Sequence, residues 1–188
     1  FFLFKGGYIT MKTLLQGKRV RLTQVTKEDL EAIADWYHNS NFSRLFDALP
    51  AAPRTMDQLE SWLQESNESN NQYTFSIRNE SNEFVGYVEL ESILWIHRNG
   101  WVSIAIGDEE YQGKGYGMEA MQLLIDFAFY ECNLHRLQLT VFSYNQPAIS
   151  MYEKLGFKKE GTHREFLLRD GQAFDMHLYG LLDYEWIK

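Results

Sequence analysis

The chain has 188 residues, 18 Lys and Arg against 26 Asp and Glu, and a formal charge of -8. Its length predicts one domain with a core large enough to need no staple, and 45% hydrophobic with 23% charged residues excludes a disordered or collagen-like chain. The negative charge opposes phosphate backbones and anionic bilayers, and no run of Lys and Arg offers a basic patch, so neither nucleic acid nor membrane is an expected partner.

The single Cys132 excludes an internal disulfide framework and favours a reducing, cytoplasmic setting. His38, His97, His135, His163 and His177 lie far apart, without the short spacings of zinc sites, so no metal is expected. Residues 1-10 lack the basic start and small-residue cleavage site of a signal peptide and read as an N-terminal extension, leaving one domain over residues 11-188. No segment approaches the ~20 apolar residues needed to span a bilayer.

In chain order, Val20 and Leu22 alternate with polar residues as in a half-buried strand. Thr26 with Asp29 resembles a capping box ahead of Leu30, Ile33, Ala34 and Tyr37 at helical spacing, and Thr55 with Gln58 repeats the device ahead of Leu59, Trp62 and Leu63. Between them, Asn39 to Arg54 reads as irregular, and its Phe42, Leu45, Phe46 and Leu49 suggest a lid or pocket wall. Tyr73, Phe75 and Ile77 alternate as a strand, Asn79 to Glu83 is a turn, and Phe84 to Ile93 and Gly100 to Ile106 form a hairpin through Trp95 to Asn99.

Tyr111 to Gly117 then leads into a helix with an apolar face of Met118, Met121, Leu124, Ile125, Ala128 and Phe129. Leu137, Leu139 and Val141 alternate as a strand, Pro147 opens a helix, and Gly156 ends it. The tail reads as strands at Phe157 to Lys159, Glu165 to Leu168 and Phe174 to Leu181, broken at Gly161 and Asp170-Gly171. Hairpins in the middle and a late strand-helix-strand crossover predict one α+β, mixed α/β domain.

Strand, then Gly113-x-Gly115-x-Gly117, then amphipathic helix places unpaired backbone N-H groups at a positive dipole end, which is an anion cradle, with Lys114 adding a cation. The same residues also suit a plain tight turn. A P-loop would need Ser or Thr after Lys114, where Gly115 stands, and a dinucleotide fingerprint would need its third glycine one residue later.

Gln112-Gly113-Lys114-Gly115-Tyr116-Gly117, followed by Asn145 and then by Tyr152-Glu153-Lys154-Leu155-Gly156-Phe157, resembles the GNAT superfamily of N-acetyltransferases. From Gly86 to Gly161 the resemblance is to the branch holding ribosomal-protein alanine and spermidine acetyltransferases. It implies a central, mostly antiparallel but splayed mixed sheet flanked by helices. It also implies acetyl-CoA as cosubstrate: Ile104, Ala105 and Ile106 along the pantetheine arm, Gln112 to Gly117 at the pyrophosphate, and Asn145 opposite. Asn145 also suits a helix cap.

An alkylamine with a reference pKa of about 10.4 is protonated at neutral pH, so presenting its neutral form costs roughly 4 to 5 kcal/mol. A base must therefore take a proton, and the departing thiolate is helped by an acid. The resemblance implies Tyr152 as that acid and Glu89 as the base, with Glu91 or a water chain as alternatives for the base. The acceptor stays open among polyamine, other small amine and protein N-terminus, and relatives are often homodimers. A cationic acceptor would be drawn to an acidic protein. The competing expectation is a non-catalytic acyl-CoA-binding module, in which the acid is dispensable.

Overall fold

The computed structural model describes residues 13-186. The expected extension at 1-10 lies outside the described residues. The alternation at Val20 and Leu22 turns both side chains inward on β1 (Val20–Gln24). Asp29, at the third position of α1 (Lys27–Trp36), accepts the Thr26 backbone N-H at 3.0 Å, completing the expected capping box. The same buried carboxylate accepts the Ser76 hydroxyl at 2.7 Å and pairs with Arg78 at 2.6 Å, which fastens α1 to β2 (Tyr73–Asn79). The second expected capping box, Thr55 with Gln58, opens α3 (Met56–Glu68).

The stretch between these helices is not wholly irregular. It contains α2 (Ser40–Phe46), capped by Asn39 accepting the Asn41 N-H at 3.0 Å. Two turns of helix present too few residues for a periodic pattern, and the start through Asn and Ser reads equally as a turn.

β3 (Phe84–Leu94) and β4 (Asn99–Ile106) form the expected hairpin, and α4 (Tyr116–Asp126) follows the glycine loop and runs on as a wide turn over Phe127–Glu131. β5 (Arg136–Phe142) and α5 (Gln146–Lys154) complete the crossover. The tail departs from expectation: it is two long strands, β6 (Lys158–Arg169) and β7 (Gln172–Leu182), turning at Asp170-Gly171. Gly161 does not end a strand. It sits at a shift in register between Lys159 and Gly161, so a bulge absorbs the irregularity while pairing continues.

The seven strands make one sheet in the order β1-β2-β3-β4-β5-β7-β6, antiparallel throughout except where β4 meets β5. α4 lays Ala120, Met121, Leu124 and Ile125 on a core with Val88, Leu90, Leu137 and Leu139. α1, α2 and α3 close a second core around Leu30, Ile33, Trp36, Phe42 and Leu59 with Tyr87 and Ala105. In a strand alternate residues face opposite ways, so Tyr87 and Glu89 of β3, with Ala105 and Ser103 paired across from them, belong to this second side.

Candidate active site

The parallel ladder between β4 and β5 holds only three residue pairs, Asn99↔Arg136, Gly100↔Leu137 and Trp101↔Gln138. Beyond it the strands part. Ile104, Ala105 and Ile106 keep their pairing to Val88, Tyr87 and Gly86 of β3 but, among the described residues, face no strand on the other side. A row of backbone N-H and C=O groups is thereby left ready for an extended ligand to pair as a strand would.

This wedge opens into a cavity of about 400 Å³. Its wall brings together Ile104, Ala105, Ile106, Gln112, Gly113, Gly115, Tyr116, Gly117 and Asn145, nine of the residues singled out in the sequence. Gly113 and Gly115 take positive φ, +72° and +82°, which the turn into α4 requires and side-chain-bearing residues resist. Among the described residues no side chain caps α4, so the N-H groups of its first turn remain available to an anion, and the space beside Gly113 is open. Lys114 stands outside the cavity wall, its Nζ 5.6 Å from the Tyr111 ring centroid.

Sequence reasoning missed Arg19. Its guanidinium donates to the Lys114 carbonyl oxygen at 2.7 Å, pairs with Glu119 at 3.2 Å, and would lie 2.7 Å from a Cβ at Gly115. A second cation therefore flanks the loop, half-exposed and anchored from just ahead of β1. Because 95 residues separate Arg19 from Lys114, no local motif signals it.

Asn145 caps α5, its Oδ1 accepting the Ala148 N-H at 3.3 Å, while its Nδ2 donates to the Leu45 carbonyl at 3.3 Å. Asn145 is thus the helix cap that the sequence suggested, and it also lines the cavity. The Tyr144 hydroxyl donates to the Arg44 carbonyl, Arg44 pairs with Asp170 at 2.7 Å, and Arg169 donates to the carbonyls of Asp47 and Leu49. The β6-β7 turn and the start of α5 thereby hold α2, whose Phe42, Leu45 and Phe46 form a cavity wall as expected.

Tyr152 is not in that wall. It lies on α5 one residue after Met151, which is, and only 6% of it is exposed. Burial raises its hydroxyl pKa further above the ordinary tyrosine value, so the proton is retained, and the hydroxyl has no hydrogen-bond partner among the described residues. Cys132 is also made a poor nucleophile, burial raising its thiol to about 11.

Glu89 lies apart from the first cavity, in a second of about 180 Å³. There it is 7% exposed and held by neutral donors: Ser103 Oγ at 3.1 Å, and Thr74 Oγ1 and Gln72 Nε2 at 3.3 Å each. Burial, and then the charge of Glu91, push its carboxyl up to about 7, against the lowering by these donors. Such a group changes charge near neutrality. Glu91 is raised by burial too but does not line the cavity.

Phe46 forms part of both cavities, its ring 5.8 Å from that of Tyr87, which lines the second. The two spaces therefore adjoin at Phe46 and at the Tyr87↔Ala105 pair of the sheet. The arrangement offers an open strand edge and an anion cradle on one side of Phe46, and a carboxylate in an aromatic enclosure on the other.

A family model for the acetyltransferase (GNAT) domain matches residues 19–158. An uncharacterized, prophage-derived N-acetyltransferase of Bacillus subtilis (strain 168) is 30% identical over 135 residues, 71% of this chain and 75% of its own. The spermidine N(1)-acetyltransferase of Vibrio cholerae is 27% identical over 170 residues, 90% and 96% of the two chains. A crystal structure of spermidine N-acetyltransferase from Vibrio cholerae, in complex with CoA and spermine, superposes with a TM-score of 0.81 at 28% identity, covering 89% of this chain and 97% of that one.

Proposed function

Because the chain belongs to the GNAT acetyltransferase family, we propose that it transfers the acetyl group of acetyl-CoA directly to a primary amine, with both substrates bound at once. The observation that carries this reading is the unpaired edge of β4 at Ile104–Ile106 opening, in one cavity, onto the glycine turn at Gln112–Gly117. The edge suits an extended amide-bearing arm, and the uncapped start of α4 suits a pyrophosphate. Lys114 and Arg19 add positive charge beside it. Acetyl-CoA, when bound, supplies an activated acetyl thioester.

The chain's own groups supply the proton traffic. Glu89, ionised in about half of the molecules near pH 7, takes a proton from the incoming ammonium and leaves a neutral nitrogen to attack. Tyr152, protonated throughout the physiological range, gives its proton to the departing sulfur. The aromatic wall around Glu89 offers the amine cation-π contacts beside the carboxylate. Phe46 stands between acceptor and donor, and the acceptor nitrogen reaches the acetyl carbon past it. Residues 11-188 act as one transferase domain of the cytoplasm.

The experiment is thiol release from acetyl-CoA against polyamines, aminoglycosides, amino acids and N-terminal peptides. Release that needs an amine, with an N-acetylated product by mass spectrometry, supports the reading. Acetyl-CoA binding without release for every amine overturns it in favour of a binding module.

A further inference from the structure

We infer that the acceptor is a small amine that also carries a carboxylate, an amino acid of short chain, with Arg54 as the residue that selects it. The inference rests on the transferase reading above and names the substrate class for the same site.

The second cavity has two charged side chains in its wall, Glu89 and Arg54. They are not each other's partners. Glu89 accepts only from neutral donors, and Arg54 pairs through Nη2 with Asp47 at 3.0 Å. The remaining wall is apolar or aromatic, including Tyr37, Trp62 and Tyr87. Arg54 lies over Tyr37, its Cζ 4.6 Å from the ring centroid, a cation-π contact that helps to hold the guanidinium. Among the described residues its Nε and Nη1 donate to nothing, which leaves part of the fork free.

A space lined by a carboxylate, a guanidinium and aromatic rings suits a zwitterion. The ammonium of such a ligand meets Glu89, and its carboxylate meets the free donors of Arg54. A polyamine would bring a second ammonium toward Arg54, and like charges repel. In the reaction the ammonium gives one proton to Glu89, the neutral nitrogen bonds to the acetyl carbon, and the carbon-sulfur bond breaks; Tyr152 protonates the departing sulfur, so CoA leaves as the thiol, and the second proton lost by the nitrogen restores the Tyr152 hydroxyl. The carboxylate is unchanged.

The test uses the full chain and acetyl-CoA with matched acceptors: α-, β- and γ-amino acids, each beside the alkylamine that lacks its carboxylate, together with spermidine and spermine. The expected wild-type result is a kcat/KM at least roughly tenfold higher for one amino acid than for its matched amine. In Arg54→Gln that ratio falls roughly tenfold or more, through KM, and Arg54→Lys restores part of it. Should Arg54→Gln fail to fold, the wild-type ratio alone decides. Faster turnover of polyamines or plain alkylamines than of every amino acid overturns the inference and leaves the transferase reading standing. No release with any amine overturns both.

Discussion

Arg19 Nη1 donates a 2.7 Å hydrogen bond to the carbonyl oxygen of Lys114, which ties the residue just ahead of β1 to the glycine turn that opens α4. The bond uses one donor and leaves the cation beside Gly115, where a phosphate would lie. Arg19→Gln is expected to weaken binding of CoA roughly five- to tenfold, an effect that shrinks as salt rises, because the guanidinium is half-exposed and screened. Isothermal titration with CoA at two ionic strengths checks this. An affinity equal to wild type at low salt would remove Arg19 from the site.

Glu89 makes opposite demands on stability and activity. Its carboxyl is raised to about 7 in the folded protein, so the folded state holds the proton more tightly than the unfolded one. The contribution is fully present below the ordinary glutamate range and is lost as pH rises through about 7. Across that window the ionised form costs on the order of 3 kcal/mol. Glu89→Gln is therefore expected to be more stable than wild type at pH 8, by chemical denaturation, and to lose most of this pH dependence. Its kcat/KM should fall roughly 100-fold or more, and the acidic limb near pH 7 should disappear from the rate profile.

For Tyr152, the missing hydrogen-bond partner separates role from scaffold. Removing a hydroxyl that has no partner among the described residues orphans none of their groups, so Tyr152→Phe is expected to change stability by less than about 0.5 kcal/mol. The same change should lower kcat roughly 10- to 100-fold with little change in acetyl-CoA affinity. Thermal melts beside single-turnover thiol release give both numbers. Wild-type turnover would show that the thiolate leaves without this proton.

Asp29 is a purely structural counterpart. It is 3% exposed, lines neither cavity, and serves a capping box, Ser76 and Arg78 at once. Asp29→Ala strands the largely buried Arg78 and is expected to cost about 3 to 5 kcal/mol. Denaturant unfolding measures the loss, and the KM of the remaining folded protein should stay close to wild type.

How far the sequence led depended on how local each signal was. Gly113, Gly115 and Gly117 stand within five residues, and the turn they specify is the turn observed. The capping boxes at Thr26 and Thr55 are equally local. Glu89 was harder: with Glu91 two positions on, it has the pattern of a solvated strand face. What buries it is Trp62 of α3 and Tyr37 beyond α1, brought over it only by folding. Arg54 and Arg19 carried no signal, since each acts on groups supplied by another part of the chain. The parting of β4 from β5 was expected from family resemblance alone, because alternation at Ile104 and Ile106 would be the same in an intact sheet.

The ladder that joins β1-β4 to β5-β7 is only three residue pairs long, so backbone pairing holds the two half-sheets together over a short seam. A ligand lying in the wedge would act as a splint across that seam. Each substrate-binding event then stiffens the molecule as well as filling a site, and slowed amide exchange at Val102 and Leu139 would register it.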